Sequence, residues 1–266
     1  MTPDDAIQLV QNKFPFEKYM NAARDSAHRN IAETVLRCLQ AGDRVLDFGS
    51  GPCDKTAVVS LLGFECSAYD DLQDGWHGVE NTRDMIVAFA EEFDIDFHLK
   101  CGDHFPFEKG SFDMVMMHDV LEHLHDSPRD LLIDLLELVK PGGYFFATVP
   151  NAVNIRKRIR VMFGKTNLPP FGQYYWYPGP WRGHVREYTK DDLTQLAEYL
   201  ELEVVELRGC HHMLHKVPMI VRPAYVGLSA IFTGWRDSWL LLAKKRPHWA
   251  PRRACPTMSY RNSNDA

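Results

Sequence analysis

Arg44-Val-Leu-Asp-Phe-Gly-Ser-Gly-Pro-Cys-Asp54 reads as a short buried strand, Val45 to Phe48, then a glycine turn, then a helix from about Lys55 to Leu62 that stops at Gly63. Working outward, Phe64 to Tyr69 is a second strand ending at the acidic pair Asp70-Asp71, and Phe97 to Lys100 is a third, before Gly102-Asp103. Phe112 to Met117 is a fourth, followed by the polar turn His118-Asp119. Ser127-Pro-Arg-Asp130 opens a helix with a capping hydroxyl, a proline in the first turn and an acid at the positive end of the dipole. Its apolar side holds Leu131, Leu132, Leu135, Leu136, Leu138 and Val139, Lys140-Pro-Gly-Gly143 is its stop, and Tyr144 to Val149 is the fifth strand. Upstream, Phe14 to Leu39 carries a helical period at Ile31, Val35, Leu36 and Leu39, read as one entry helix closed by Gly42.

This alternation demands parallel pairing with helices on both faces, a doubly wound α/β core. Downstream, Thr189-Lys-Asp-Asp192 caps a helix to about Leu200, and Glu203 to Leu207 and Ser238 to Ala243 are the last two strands of a mostly parallel seven-stranded sheet. The expected organisation is a helical cap over 1–43, a cofactor-binding core over 44–151 and a substrate lid over 152–188. Over 189–246 the core is completed around a helical insertion, and 247–266 is a disordered tail rich in Pro, Arg, Ser and Asn.

With 266 residues, 45% hydrophobic and 25% charged, the chain falls outside the collagen-like, wholly disordered and coiled-coil classes. Thirty Lys+Arg against 36 Asp+Glu leave a formal charge of −6, so no global field draws in a polyanion, and nucleic acid is a minor reading. Six cysteines without a CxxC pair and a polar start, MTPDDAIQLVQNKF, unlike a signal peptide, fit a reducing cytoplasmic compartment. Val217 to Leu242 is broken by Arg222, Pro223, Gly227, Gly234, Arg236 and Asp237 and is read as a packed insertion rather than a spanning helix. Contact with a membrane surface is a secondary reading.

The turn Gly49-Ser-Gly-Pro-Cys-Asp54 departs from the dinucleotide fingerprint because Asp54 stands where its third glycine would be, and a carboxylate there repels pyrophosphate. No Walker lysine-serine pair follows. What remains is Asp47 just before a GxG turn and Asp70 at the tip of the next strand, placed to accept ribose hydroxyls. A ligand with a ribose, no phosphates and a cationic group fits, and S-adenosylmethionine has all three.

On these residues the sequence resembles the class I S-adenosylmethionine-dependent methyltransferases, in their small-molecule, ubiquinone-biosynthesis-like branch. Val45-Leu-Asp-Phe-Gly-Ser-Gly-Pro52 is similar to the first motif, Tyr69-Asp70 to the ribose acid, and Gly102-Asp-His-Phe-Pro-Phe107 to the adenine-side loop. Ser111 to His123 resembles the fourth-strand segment and Leu138-Val-Lys-Pro-Gly-Gly143 the approach to the fifth, so the match runs in order from Arg44 to Asn151. The resemblance implies a Rossmann-like fold with Asp47, Gly49 and Gly51 around the methionine part, Asp70 at the ribose and Asp103 with His104 at the adenine. His118, at the tip of the fourth strand, is counted with the cofactor-binding residues. Cys53 stands where the family has a further glycine and is expected to tighten the methionine pocket.

For methyl transfer from a sulfonium, the fold's main contribution is alignment, while a hydroxyl acceptor gains from a base or a metal. His118-Asp-Val-Leu-Glu-His-Leu-His125 follows the fourth strand, and on a helix Asp119, Glu122 and His123 share one face. Two carboxylates and an imidazole suit a divalent ion such as Mg2+ or Mn2+. Gly183-His184-Val-Arg-Glu-Tyr-Thr189 delivers His184 from the lid. The set resembles a metal-dependent branch of small-RNA 2′-hydroxyl and ubiquinone-type methyltransferases that uses two acids and two histidines, with Asp119 shorter than the glutamate usual there. His123 or His184 as a metal-free base, and a purely structural turn, stand as alternatives.

The lid holds Arg156, Lys157, Arg158, Arg160, Lys165, Arg182 and Arg186 against Glu187 alone, interleaved with eight aromatic rings, about half of which are expected to pack onto the core. Rings and arginines together favour a saccharide or glycan hydroxyl as acceptor. A phenol or quinol, a non-catalytic cofactor-binding scaffold and an RNA 2′-hydroxyl are the rivals.

Overall fold

The computed structural model describes residues 1–16, 20, 25–74, 81–102, 104–212, 214 and 217–253. Two helices come first, α1 (Pro3–Lys13) and α2 (Asp25–Cys38), then β1 (Arg44–Phe48), α3 (Asp54–Leu61), β2 (Glu65–Asp70), α4 (Thr82–Glu92), β3 (Asp96–Leu99) and β4 (Phe112–His118). They are followed by α5 (Pro128–Leu138), β5 (Val139–Pro150), α6 (Ile155–Met162), α7 (Phe171–Tyr175), α8 (Lys190–Tyr199), β6 (Leu202–Cys210), α9 (Arg222–Ile231) and β7 (Ser238–Lys245). One seven-stranded sheet runs in the order β3-β2-β1-β4-β5-β7-β6. Strands β1 to β5 pair in parallel, and β7 lies antiparallel between β5 and β6.

Both faces of the sheet are covered, so strand side chains alternate between two apolar layers rather than between core and water. Val45, Met114, Met116 and Phe146 point into a layer shared with α1 to α4, whereas Leu46, Val115, Met117 and Phe145 point into one shared with α5 and α8. Between β1 and β4 the strand order reverses. That switch point opens a crevice at the carboxyl ends of the strands, where open α/β sheets bind their ligands.

Several local expectations are corrected. The entry helix is two helices: Thr2 caps α1 in a reciprocal box with Asp5, Pro3 occupies the first turn, and the periodic residues Ile31 and Val35 belong to α2. Lys140-Pro-Gly-Gly143 does not separate helix from strand, because β5 already begins at Val139, with a register shift opposite Phe112 and Met114. The Val217 to Leu242 insertion is not packed throughout: Met219, Ile220 and Ile231 are exposed, and in α9 only Ser229 is buried. No helix among the described residues is long and apolar enough to cross a membrane.

Of the eight lid aromatics, Phe163, Phe171, Tyr174, Tyr175 and Trp176 are exposed, Tyr177 and Trp181 are half-buried, and Tyr188 is buried. Beyond β7, Trp249 seats its ring against the second layer and donates its indole N–H to the Leu200 carbonyl at 2.6 Å, so the region expected to be a free tail starts out anchored. Residues 254–266 lie outside the described residues.

Candidate active site

The turn after β1 needs left-handed backbone at Gly49 (φ 72°), Gly51 (φ 53°) and Cys53 (φ 62°). At Gly49 there is a second constraint, because a Cβ would stand 2.3 Å from Val120 Cγ2. Gly49→Ala is therefore expected to lower thermal stability, by at least ~1–3 kcal/mol for strain plus overpacking. Thermal denaturation checks this, and Val120→Ala in the same chain should restore part of the loss, since it removes the clash but leaves the φ.

Asp70 ties this turn to β2. Its Oδ2 accepts the Gly51 N–H at 2.8 Å and its Oδ1 accepts the Leu72 N–H at 2.7 Å, and Asp70 lines the crevice. Asp54 heads α3 and meets His28 Nε2 at 2.8 Å, a buried pair brought together from two helices.

The resemblance-derived roles divide. Gly49, Gly51, Asp70 and His118 line a crevice of about 440 Å³. Asp47 does not: it is buried beneath the turn and accepts the Thr56 hydroxyl at 2.6 Å, its carboxyl pushed up to about 6 by burial. Cys53 is not among the lining residues either: its buried thiol meets Ser50 Oγ at 3.6 Å. His104 is exposed outside the crevice, and Asp103 lies outside the described residues. What the adenine-side loop contributes instead is Phe105, which packs edge-on against Tyr69 at 5.3 Å and Phe48 at 5.8 Å.

His118 is buried, with Nδ1 at 3.1 Å from the Thr148 hydroxyl and Nε2 without a hydrogen-bond partner among the described residues. Burial, then the nearby Lys55 charge, lowers its pKa well below the usual imidazole value, so it meets the crevice as a neutral ring.

After β4 the chain does not enter a helix. Asp119 is left-handed (φ 59°), and a single 3-10 turn covers Leu121–His123, so the shared helical face expected for Asp119, Glu122 and His123 does not form. The Asp119 carboxylate turns instead to Lys55 Nζ at 3.1 Å. Burial raises its pKa, but Lys55 and then His212 outweigh burial and hold it below the ordinary range.

The remaining three expected ligands do converge. Glu122, His123 and His184 each bring one candidate ligand atom to within 4.8 Å of the others. Both Glu122 carboxylate oxygens are buried without a hydrogen-bond partner among the described residues, the nearer one 4.0 Å from His184 Nε2. Burial, then repulsion from Asp119, raises its pKa well above the carboxylate norm.

The lid strap fixes both imidazoles. His123 Nδ1 donates to the Arg182 carbonyl at 2.7 Å and His125 Nε2 to the Trp181 carbonyl at 2.5 Å, while the Val185 N–H donates to the Glu122 carbonyl at 2.7 Å. With Nδ1 carrying the proton, His123 keeps a free lone pair on Nε2. His184 spends Nδ1 on Glu187 Oε1 at 2.9 Å, and Lys157 pairs with the other oxygen of that carboxylate.

Residues given no site role from sequence complete the crevice. Lys55 and Asp71 line it, and Arg182 closes it by reaching Asp71 at 3.1 Å and Asp74 at 3.3 Å. Their sequence signals were weak: Lys55 follows the glycine turn, Asp71 follows Asp70, and Arg182 was one of seven lid cations, just before Gly183-His184.

A family model described as "Methyltransferase domain" matches residues 20–207. The ubiquinone biosynthesis O-methyltransferase of Burkholderia orbicola is 24% identical over 169 residues, 64% of this chain and 68% of that protein. An uncharacterized methyltransferase of Schizosaccharomyces pombe is 32% identical over 118 residues, 41% of each chain. Among solved structures, a SAM-dependent methyltransferase from Aquifex aeolicus superposes with a TM-score of 0.53 at 13% identity, covering 92% of this chain and 98% of that one. The chain belongs to the methyltransferase-domain family and is a class I S-adenosylmethionine-dependent methyltransferase.

Membership implies S-adenosylmethionine as cofactor, and the residues fit it. The Asp70 carboxylate at the tip of β2 would suit ribose hydroxyls, Gly49 and Gly51 line the crevice at the turn, and Pro52 and Asp54 line it between turn and helix without a third glycine for pyrophosphate.

Proposed function

We propose that this methyltransferase acts on a hydroxyl oxygen and that His123 takes the proton. The observation that carries this reading is the His123 Nδ1–H bond to the Arg182 carbonyl, which leaves Nε2 as the acceptor on a side chain that lines the crevice. When bound, S-adenosylmethionine supplies an electrophilic methyl group. The chain's part is to hold the acceptor in line, exclude water beneath Trp181 and Arg182, and remove the hydroxyl proton at Nε2.

A neutral aromatic hydroxyl, of the phenol or quinol kind, fits better than a saccharide bearing anionic groups. The lid cations nearest the site are already committed: Arg182 to Asp71 and Asp74, Lys157 to Glu187, and Arg186 to Asp192. The Burkholderia relative's name, an O-methyltransferase of ubiquinone biosynthesis, points the same way. Incubation with methyl-labelled cofactor and a panel of phenols, quinols, sugars, amines and thiols is expected to label phenolic oxygen. Transfer to nitrogen or sulfur acceptors alone sinks the hydroxyl reading, and transfer to sugars over phenols sinks the acceptor class.

A second reading rests on Glu122. Its buried carboxylate, facing two imidazoles without a hydrogen bond, is a donor set that suits one divalent cation. Glu122, His123 and His184 would hold the ion, which would lower the pKa of an acceptor hydroxyl, and Asp119 would take no part. Chelation followed by Mg2+ or Mn2+ restoration separates the two: turnover indifferent to chelator supports His123 alone as the base.

A further inference from the structure

The surface outside the crevice carries apolar groups that no element covers. In the lid, Met162, Phe163 and Trp176 are exposed, and in the insertion between β6 and β7 Met219, Ile220 and Ile231 are as well, each between 73% and 91% accessible. Scattered single residues of this kind are ordinary, whereas two insertions that each expose several large apolar side chains point to an interaction site.

The fold brings the two insertions to one end of the sheet. The lid leaves the sheet at Pro150, the other insertion leaves at Cys210 and returns at Ser238, and these strand ends are register partners: Pro150 opposite Ser238, and Ser238 opposite Cys210. Helices α6 and α9 both pack on the same turn, Thr233–Trp235. This is also the end of the sheet at which the cofactor crevice opens.

Charge is distributed just as unevenly. Helix α6 has no buried residue; Ile155, Ile159 and Met162 recur along one stripe, with Phe163 at its end, while Arg156, Arg158 and Arg160 are exposed between them and Lys165 follows. None of these four cations forms an ion pair with an acid among the described residues, and the lid's single acid, Glu187, is taken by Lys157. So a basic, apolar surface stands on a chain whose formal charge is −6.

We propose that α6, the 163–176 segment and the 219–231 stretch form a docking surface for an anionic lipid bilayer, with the crevice opening toward it. Arginines and a lysine interleaved with Met, Phe, Trp and Ile are the composition of an interfacial helix, whose apolar stripe enters the headgroup boundary while the cations meet lipid phosphates. A second copy of the chain is a poorer occupant, because a two-fold contact would set the unpaired α6 cations of one copy against those of the other.

Flotation of the full chain with vesicles tests this. Binding to phosphatidylcholine vesicles containing phosphatidylglycerol is expected to be about tenfold or more tighter than to pure phosphatidylcholine and to weaken as salt rises. Phe163→Asp with Ile220→Asp, and separately Arg156→Glu with Arg160→Glu, are each expected to reduce vesicle binding by about tenfold or more. The same variants should keep wild-type cofactor affinity and melting temperature. Absence of binding to anionic vesicles, or equal binding to both vesicle types, overturns the proposal. So does a stable dimer in solution that Phe163→Asp dissociates, since a protein would then be the occupant.

Discussion

Asp70→Ala is expected to weaken S-adenosylmethionine binding by about 10²–10⁴-fold, the loss of two charge-assisted hydrogen bonds worth ~1.5–3 kcal/mol each. The geometry makes the effect larger than that of removing a ribose contact alone. Each Asp70 oxygen already receives a backbone N–H, from Gly51 on one side and Leu72 on the other, so the carboxylate also shapes the turn that must receive the cofactor. Asp70→Asn separates the two roles, because it keeps one acceptor oxygen and replaces the other with a donor, and its loss should fall between wild type and alanine. Titration calorimetry measures both variants. Wild-type affinity in Asp70→Ala would show that the ribose is held elsewhere and would remove the assignment of this acid.

His123→Ala is expected to lower kcat by about 10²–10⁴-fold, the usual contribution of a positioned general base, while leaving cofactor affinity close to wild type. His123→Gln retains a donor for the Arg182 carbonyl but has no titratable lone pair, so its kcat should match that of the alanine variant if proton removal is the residue's task. The pH profile carries a sign. Burial, then the neighbouring His184, lowers the His123 pKa below its ordinary 6.5, although the bond to the Arg182 carbonyl works the other way. The neutral, proton-accepting form therefore persists to lower pH than in a free imidazole. As pH falls, kcat should decline with a midpoint below 6.5, and the variants should lack that limb. A limb unchanged in His123→Gln would assign it to another group.

The core of the fold was legible because parallel strands buried on both faces are written as continuous apolar runs punctuated by glycine and acid, as at Val45 to Gly51 and Phe112 to Asp119. Helix caps at Ser127 and Thr189 carried their boundaries in the same direct way. Helix α1 lies inside the expected helical cap over 1–43, with its start written in Thr2, Pro3 and Asp5.

In the site, legibility failed where backbone conformation overrode spacing. Asp119, Glu122 and His123 have helical intervals, but the left-handed turn at Asp119 sends its carboxylate to Lys55, and no local pattern announces that φ. Asp47 and Cys53 sit at motif positions yet face inward, because the turn places their side chains beneath the loop rather than over the crevice. Arg182, Asp71 and Asp74 meet across more than a hundred residues of chain, a pairing that sequence separation hides.

The backbone bonds between the strap at 181–185 and the turn at 122–125 also constrain how this enzyme can diversify. Carbonyls of Trp181 and Arg182 orient His125 and His123, whereas the chain from Gly164 to Tyr175 forms no hydrogen bond with those imidazoles among the described residues. New selectivity is thus free to arise by swapping that outer loop, like a bit in a drill chuck, without disturbing proton removal. A graft that extends into the strap would unseat the base itself.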